Sequence, residues 1–346
     1  MDVHPDRHEV VVPVRRDPRG RSGPTRGQAV GAGWRRTSRG FYVPATVDPS
    51  LPEQRIVEAG VLVPAYGGVT GWAALRWSGA AWFDGTRPGG VGPRPVSIAV
   101  THDEIRPQPG VAVSSERLPP HDLTVVDGLP VTTSVRSLTF EMRYAPDDRR
   151  AVVAMDMAAH ADLVSIDEAG DYTATWLNGW TGVPRCRRAL TLADENSWSP
   201  RETLFRLHWV LDAELPPPLC NVPIFDRSGQ HVGTPDLLDA EAGLVGEYDG
   251  RLHLADDRRS QDLDRESRFR SLGLEYVTMV AGDLRDPLAT IVPRVVGAHR
   301  RARSAAEGAR PWTIDPPAWW TPTRTVAQRR ALDGAERERL LRRRGG

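Results

Sequence analysis

The stretch Thr234–Leu254, TPDLLDAEAGLVGEYDGRLHL, holds two short apolar runs separated by Ala-Glu-Ala-Gly. Runs of this length, bounded by Pro, Asp and Gly, read as two strands of a hairpin. With the turn at Glu241-Ala242, Ala240 faces Gly243, Leu238 faces Val245 and Asp236 faces Glu247. Cross-strand partners have Cβ atoms roughly 5 Å apart. Side chains alternate along a strand, so Glu247 and Asp249 share a face. Asp236, Glu247 and Asp249 are therefore expected to point together, with Leu238 and Val245 on the same face nearer the turn. Carboxylates held this close repel, and a proton or a divalent cation relieves the repulsion. Oxygen donors favour hard ions such as Mg²⁺ or Mn²⁺. An ion there activates water and stabilises charge on a phosphate in transit. Each residue also has an ordinary reading. Asp236 is a candidate turn acid, Asp249-Gly250 a common turn pair, and His253 a hydrogen-bonded or exposed histidine.

The elements around the hairpin follow from local signals. SPRETLFRLHWVLDAEL predicts a helix with Ser199 as N-cap, Pro200 at its first position and a stripe of Leu204, Leu207 and Leu211. Ser199 and Glu202 also have the spacing of a capping box. LCNVPIFD, HVGTPDLLD, LVGEYDG and LEYVTMV predict strands. ADDRRSQDLDRESRFRSLG predicts a charged helix closed by Gly273, and DPLATIVPRVVGAHRRAR a helix capped by Asp286 with Pro287 at its start. The order is helix, three strands, helix, strand, helix, which suggests a small mixed sheet flanked by helices.

Upstream, RRDPRGRSGPTRG is Arg/Pro/Gly-rich and irregular. GWRRTSRGFYVPA predicts a basic turn leading into a strand. PEQRIVEAGVLVP and VTGWAALRWSGA predict helices, the second capped by Thr70. VSIAV and GVAVSSERL predict strands. GLPVTTSVRSLTFEMRYAP predicts a helix capped by Thr133 or Ser134. Helices are also expected over 147–160, in SIDEAGDYTATWLNGW and in PRCRRALTLAD. The tail after PPAWW predicts a short amphipathic Arg-rich helix, whose charge reads best as a solvated face.

Composition narrows the function classes. The 346 residues suggest two or three domains. Lys+Arg and Asp+Glu are 45 each, so net charge gives no argument for nucleic acid. There is no Lys; every basic side chain besides His is Arg. Cys186 and Cys220 stand far apart, which argues against a zinc site or a disulfide framework. No run approaches 18 apolar residues, and the first residues lack an apolar signal core, so a cytoplasmic protein without membrane association is expected.

The pattern Ser199-x-x-Glu202, Leu215-Pro216-Pro217, Asn221-Val222-Pro223, Pro235-Asp236, Glu247-Tyr248-Asp249-Gly250, His253 and Asp264-Arg265 to Leu272-Gly273 resembles the restriction-endonuclease-like PD-(D/E)xK superfamily. The similar branch is a bacterial family akin to very-short-patch-repair endonucleases. The resemblance covers residues 196–300. It implies Asp236 and Glu247 as ligands of Mg²⁺ or Mn²⁺, Glu202 completing or orienting the site, and His253 as a proton-transfer helper. The pattern's Lys, two residues after the Glu, is Asp249 here, and Arg is too basic to replace it as a base.

Residues 24–195 resemble type IV abortive-infection antitoxins through Trp34-Arg35-Arg36 to Arg39-Gly40-Phe41-Tyr42-Val43-Pro44, Thr70-Gly71-Trp72-Ala73-Ala74-Leu75, and Gly128-Leu129-Pro130-Val131-Thr132 with Arg136. In that group a winged helix-turn-helix binds DNA; here RDPRGRSGPTRG stands where its helices belong. Arg35, Arg36 and Arg39, with Arg265 and Arg268 downstream, are candidates for phosphate contacts.

The expected architecture is thus a mixed α/β chain in four parts: an irregular 1–27, an antitoxin-like α/β region 28–195, an endonuclease-like domain 196–303, and a Pro/Trp linker with a C-terminal helix 304–346. The expected catalytic set is Glu202, Asp236, Glu247, Asp249 and His253. The expected function is metal-dependent DNA hydrolysis, the partners being DNA and a toxin or defence-system protein. The alternative is a non-catalytic nucleic-acid-binding, antitoxin-like regulator on a nuclease scaffold.

Overall fold

Pro, Gly and Asn cut this chain into short strands, and the cuts decide how its sheets are partitioned. The structure is a computed structural model that describes residues 10–87, 90–101, 105–106, 108–250, 265–305 and 310–344. It is a mixed α and β protein with four separate sheets among those residues. The chain divides into two compact units, Met1–Ala145 with Asp167–Cys186, and Pro146–Ile166 with Arg187–Gly346.

The first unit holds two sheets. Strands β1 (Val14–Arg15), β2 (Trp34–Ser38) and β3 (Phe41–Pro44) form an antiparallel sheet in the order β1-β3-β2. The basic stretch before Phe41 is therefore itself a strand, closed onto β3 through the turn at Gly40 (φ +86°). Between residues 10 and 33 the only helical turn is a 3₁₀ turn at Gln28–Val30. Strands β4 (Gly67–Thr70), β5 (Val96–Val100), β6 (Val111–Ser114), β7 (Leu123–Val126) and β8 (Leu129–Thr132) form a mixed sheet in the order β6-β5-β4-β8-β7. Its apolar face buries Val69, Ile98 and Val131 with Ile56, Leu75 and Trp77. Thr70 does not cap the next helix, as the sequence suggests. It is the last residue of β4, and its hydroxyl accepts a hydrogen bond from Thr132. The chain turns through Gly71 (φ +64°), and the Glu141 carboxylate accepts the Trp72 N–H instead. A Cβ at Gly71 would lie 2.5 Å from Glu141 Oε1, so only glycine fits there.

The second unit is built on β9 (Leu219–Cys220), β10 (Ile224–Asp226), β11 (His231–Gly233), β12 (Leu237–Asp239), β13 (Leu244–Asp249), β14 (Glu275–Val280) and β15 (Trp312–Thr313). Two of the expected strands are each broken in two. Asn221 takes a positive φ (+47°) and Pro223 lacks an N–H, so LCNVPIFD yields β9 and β10. Pro235 likewise separates β11 from β12. The outer pieces leave the main sheet and join β15 in a small antiparallel sheet, β11-β10-β15. The inner pieces form the main sheet, β14-β13-β12-β9, in which β13 runs antiparallel to β12 and parallel to β14.

One face of this sheet packs Cys220, Leu237, Leu244, Val277 and Met279 against Phe205 and Trp209 and against the helix Ile291–Ala305. The other packs Leu238 and Val245 against Ile224, Phe269, Leu274 and Trp312. Ser199 caps the helix Pro200–Leu207 by accepting the Glu202 N–H. The helix then widens into a π turn at His208–Asp212. That turn shifts the side-chain phase, so Leu211 of the expected stripe is 41% exposed while Trp209 is fully buried. The helix expected from Pro287 begins at Ile291. An earlier start would bury Pro293 in a helix interior, where it clashes and cannot donate; at the third position it is tolerated. The charged helix is seen over residues 265–271, and Gly273 (φ +74°) ends it. The C-terminal tail forms two helices, Val326–Arg330 and Gly334–Arg344. The first is no solvated face throughout: Arg329 is fully buried, donating to Asp162 and to the carbonyl of Ala159. No described helix is long and apolar enough to cross a membrane.

Candidate functional site

The hairpin register is the one that the turn placement predicts: Leu237 opposite Gly246, Leu238 opposite Val245, Asp239 opposite Leu244. Asp239 sets the turn by accepting the N–H groups of Glu241 and Ala242, and Gly243 (φ +78°) completes it. Continuing that register brings Asp236 opposite Glu247, and the Tyr248 N–H donates to Asp236 Oδ2 at 2.7 Å. Asp249 follows Glu247 by two and pairs with Val280 at the end of β13, so alternation keeps it on the same face. His253 lies outside the described residues, as does the part of the expected charged helix before Arg265.

Three carboxylates meet electrostatically at this end of the sheet. Burial, then the negative charges of Glu247 and Glu202, push the Asp236 carboxyl well above its ordinary range; the Tyr248 N–H and the Arg265 charge pull the other way. Glu247 is nearly buried, and Arg265 donates Nε to its Oε1 at 3.0 Å with Nη2 2.9 Å from the same oxygen. The Arg265 fork also donates to the Thr234 carbonyl. Tyr276 of β14 joins the same pocket, its phenol held up by burial and by the charge of Glu247.

Glu202 is committed to structure as well. Its Oε2 accepts the Trp198 N–H at 2.9 Å and the Asn221 side-chain amide at 2.8 Å. The capping spacing is thus used, although the carboxylate reaches the residue before the N-cap rather than Ser199 itself. Asn221 and Asn196, neither of which the sequence pattern singles out as polar partners, form the rest of this buried knot. Asn221 donates to the Asn196 carbonyl, and Asn196 to the carbonyls of Cys220 and Asn221. The available signal is an Asn before Val-Pro, since Asn is the non-glycine residue that best tolerates positive φ.

The arginines proposed for phosphate divide by their partners. Arg35 is held bidentately by Glu58, whereas Arg36 on β2 and Arg39 in the β2–β3 turn are exposed, Arg36 donating Nε to the Ser38 carbonyl. Arg268 is exposed and donates to the Val232 carbonyl; Arg265 is half-buried and held on Glu247.

Among the described residues, no group of three or more His, Cys, Asp or Glu side chains gathers as a metal ion would need. Asp236 and Glu247 alone provide two carboxylates. That number suits an ion such as Mg²⁺, which keeps several waters and is commonly held by one or two carboxylates. Compared with known family models, curated proteins and solved structures, the chain matches none.

Proposed function

We propose that residues 196–303 form a metal-dependent phosphodiesterase domain that hydrolyses DNA, on a restriction-endonuclease-like core. The observation that carries this reading is the β12–β13 register, Leu237 opposite Gly246, whose next step brings Asp236 toward Glu247, with the Asp236 carboxyl pushed up by burial and then by Glu247 and Glu202. Strongly perturbed acids cluster at functional sites. The order helix, β9, β12, β13, helix, β14, with β13 parallel to β14, supports the same core.

In this reading Asp236 and Glu247 hold Mg²⁺ or Mn²⁺, which would supply an activated water and charge neutralisation at the phosphate. Glu202 fixes the near end of the site through Trp198 and Asn221. The Tyr248 N–H orients Asp236. Proton transfer falls to His253 or Asp249, since the chain has no Lys. Arg268 and the exposed pair Arg36 and Arg39 are suited to backbone phosphates, which need only positive charge.

A second reading is a non-catalytic nucleic-acid-binding regulator, of the antitoxin-like type suggested by the upstream motifs. It is favoured by the Arg265 guanidinium seated on Glu247. Incubation of plasmid and single-stranded DNA with Mg²⁺ or Mn²⁺ separates the two. The enzyme reading expects cleavage that is lost in both Asp236→Ala and Glu247→Ala. A folded protein that binds DNA without metal and cuts under neither ion selects the regulator.

A further inference from the structure

Among the described residues, a guanidinium that the reaction scheme leaves without a role sits on one of the two acids. Arg265 is the first described residue of the helical segment 265–271. Its Nε and Nη2 both address Glu247 Oε1, at 3.0 and 2.9 Å, and Nη2 also donates to the Thr234 carbonyl, two residues before Asp236. The guanidinium therefore spans the edge between the chain leading to Asp236 and the Glu247 carboxylate. It lies against an oxygen that a divalent ion would take. Its electrostatic reach includes Asp236, whose carboxyl it pulls down, and Tyr276.

A guanidinium cannot yield its place by losing a proton. To let a second cation reach Glu247 it has to move, and a side chain 36% exposed has solvent to move into. The fork that now holds one carboxylate oxygen and one carbonyl is also suited to two phosphate oxygens. We infer that Arg265 is an exchangeable cation. It neutralises Glu247 while no metal is bound, competes with a divalent ion for that carboxylate, and on release presents its fork to the phosphate. The inference rests on the metal reading of the preceding section and adds to it which cation holds Glu247 when no divalent ion does.

The test is Mn²⁺ binding, by calorimetry and by the electron paramagnetic resonance signal of free Mn²⁺, in the full chain and in Arg265→Gln and Arg265→Lys. Removing a competing positive charge strengthens binding of another cation nearby. Arg265→Gln is expected to bind Mn²⁺ about tenfold more tightly than the natural chain, an order-of-magnitude figure for one nearby, partly screened charge. Arg265→Lys keeps the charge but loses the fork, so an intermediate gain of about threefold is expected; it also carries the test if Arg265→Gln fails to give a cooperative melt. Equal affinities in all three proteins overturn the inference and leave the metal reading standing. Weaker binding in both variants also overturns it, because Arg265 would then be positioning Glu247 for the ion. No Mn²⁺ binding by any form overturns the metal reading and the inference together.

Discussion

Asn221 joins the backbone of β9 to the acid on the neighbouring helix, and its substitution separates two contributions that the structure places in one residue. The side-chain amide donates to Glu202 Oε2 and to the Asn196 carbonyl, each at 2.8 Å, in a buried setting. The backbone sits at φ +47°. Asn221→Ala loses a hydrogen bond to a carboxylate, worth roughly 1.5–3 kcal/mol, and a neutral one worth about 1 kcal/mol. Asn tolerates the left-handed region because its short polar side chain bonds locally; alanine keeps the Cβ there without that compensation, at an added cost of up to roughly 1 kcal/mol. The expected loss is about 3–5 kcal/mol. Asn221→Gly loses the same hydrogen bonds but also removes the Cβ, which offsets the entropy of a glycine, and should lose about 2–4 kcal/mol. Scanning calorimetry is the suitable assay, because a chain with two compact units need not unfold in one step. One transition should shift down in both variants, and further in Asn221→Ala. Two variants within about 1 kcal/mol of the natural chain would refute the network argument, since that is less than one lost charged hydrogen bond. A glycine variant less stable than the alanine variant would refute the backbone argument.

Two further outcomes follow from buried groups. Asp156 accepts from Arg206, from the Thr203 hydroxyl and from the Asp194 N–H, and burial pushes its carboxyl up from 3.8 to about 6 against the pull of Arg206. The folded chain therefore binds the proton more tightly than the unfolded one, so this group's stabilisation is complete below pH 3.8 and is lost as pH rises through about 6. Relative to Asp156→Asn, the natural chain should lose ~3 kcal/mol between pH 4 and 7 in urea titrations; a pH-independent difference would show that the pair keeps Asp156 ionised throughout. Gly246 lies under the helix that carries Glu202, where an added Cβ would meet Phe205 Cε1 at 3.0 Å and Trp209 Cζ3 at 3.2 Å. Gly246→Ala should destabilise by roughly 1–3 kcal/mol through overpacking, measured by the same titration; a neutral result would mean that the helix moves off the sheet freely.

The parts of this molecule that could be read from the sequence are those set by neighbours in the chain. The β12–β13 register follows from Asp, Ala and Gly in a short turn and from one apolar pair, Leu238 with Val245. The Ser199 cap follows from the order Ser-Pro before an apolar run. The breaks were harder, because Asn221 and Pro223 end β9 only once the strand has somewhere else to go, and β15 lies almost ninety residues further on. Leu211 misled for a related reason: a π turn is one extra residue, and nothing in HWVLD announces it. At the candidate site, counting from the turn gives the observed register as far as Leu237 and Gly246, one step short of the two acids. The Arg265 partner was visible only as a basic residue in a charged helix, since its aim toward Glu247 depends on how that helix packs through Phe269.

The charge balance at the end of β13 separates a stabilising cluster from a functional one. Each of the three carboxylates has a partner of its own: Glu202 the Trp198 N–H and the Asn221 amide, Asp236 the Tyr248 N–H, Glu247 the Arg265 guanidinium. Of these partners the Arg265 guanidinium is the charged one, and burial together with the neighbouring acids favours a proton on Asp236. Replacing an acid in a cluster built for stability by an isosteric amide removes a partner. Where Asp236 is ionised, burial and then the like charges of Glu247 and Glu202 strain it, so Asp236→Asn relieves that strain while keeping the shape. A folded chain that gains stability from Asp236→Asn yet loses metal-dependent cleavage is the signature of acids held together for a cation, and the two measurements made on one variant distinguish that role from simple packing.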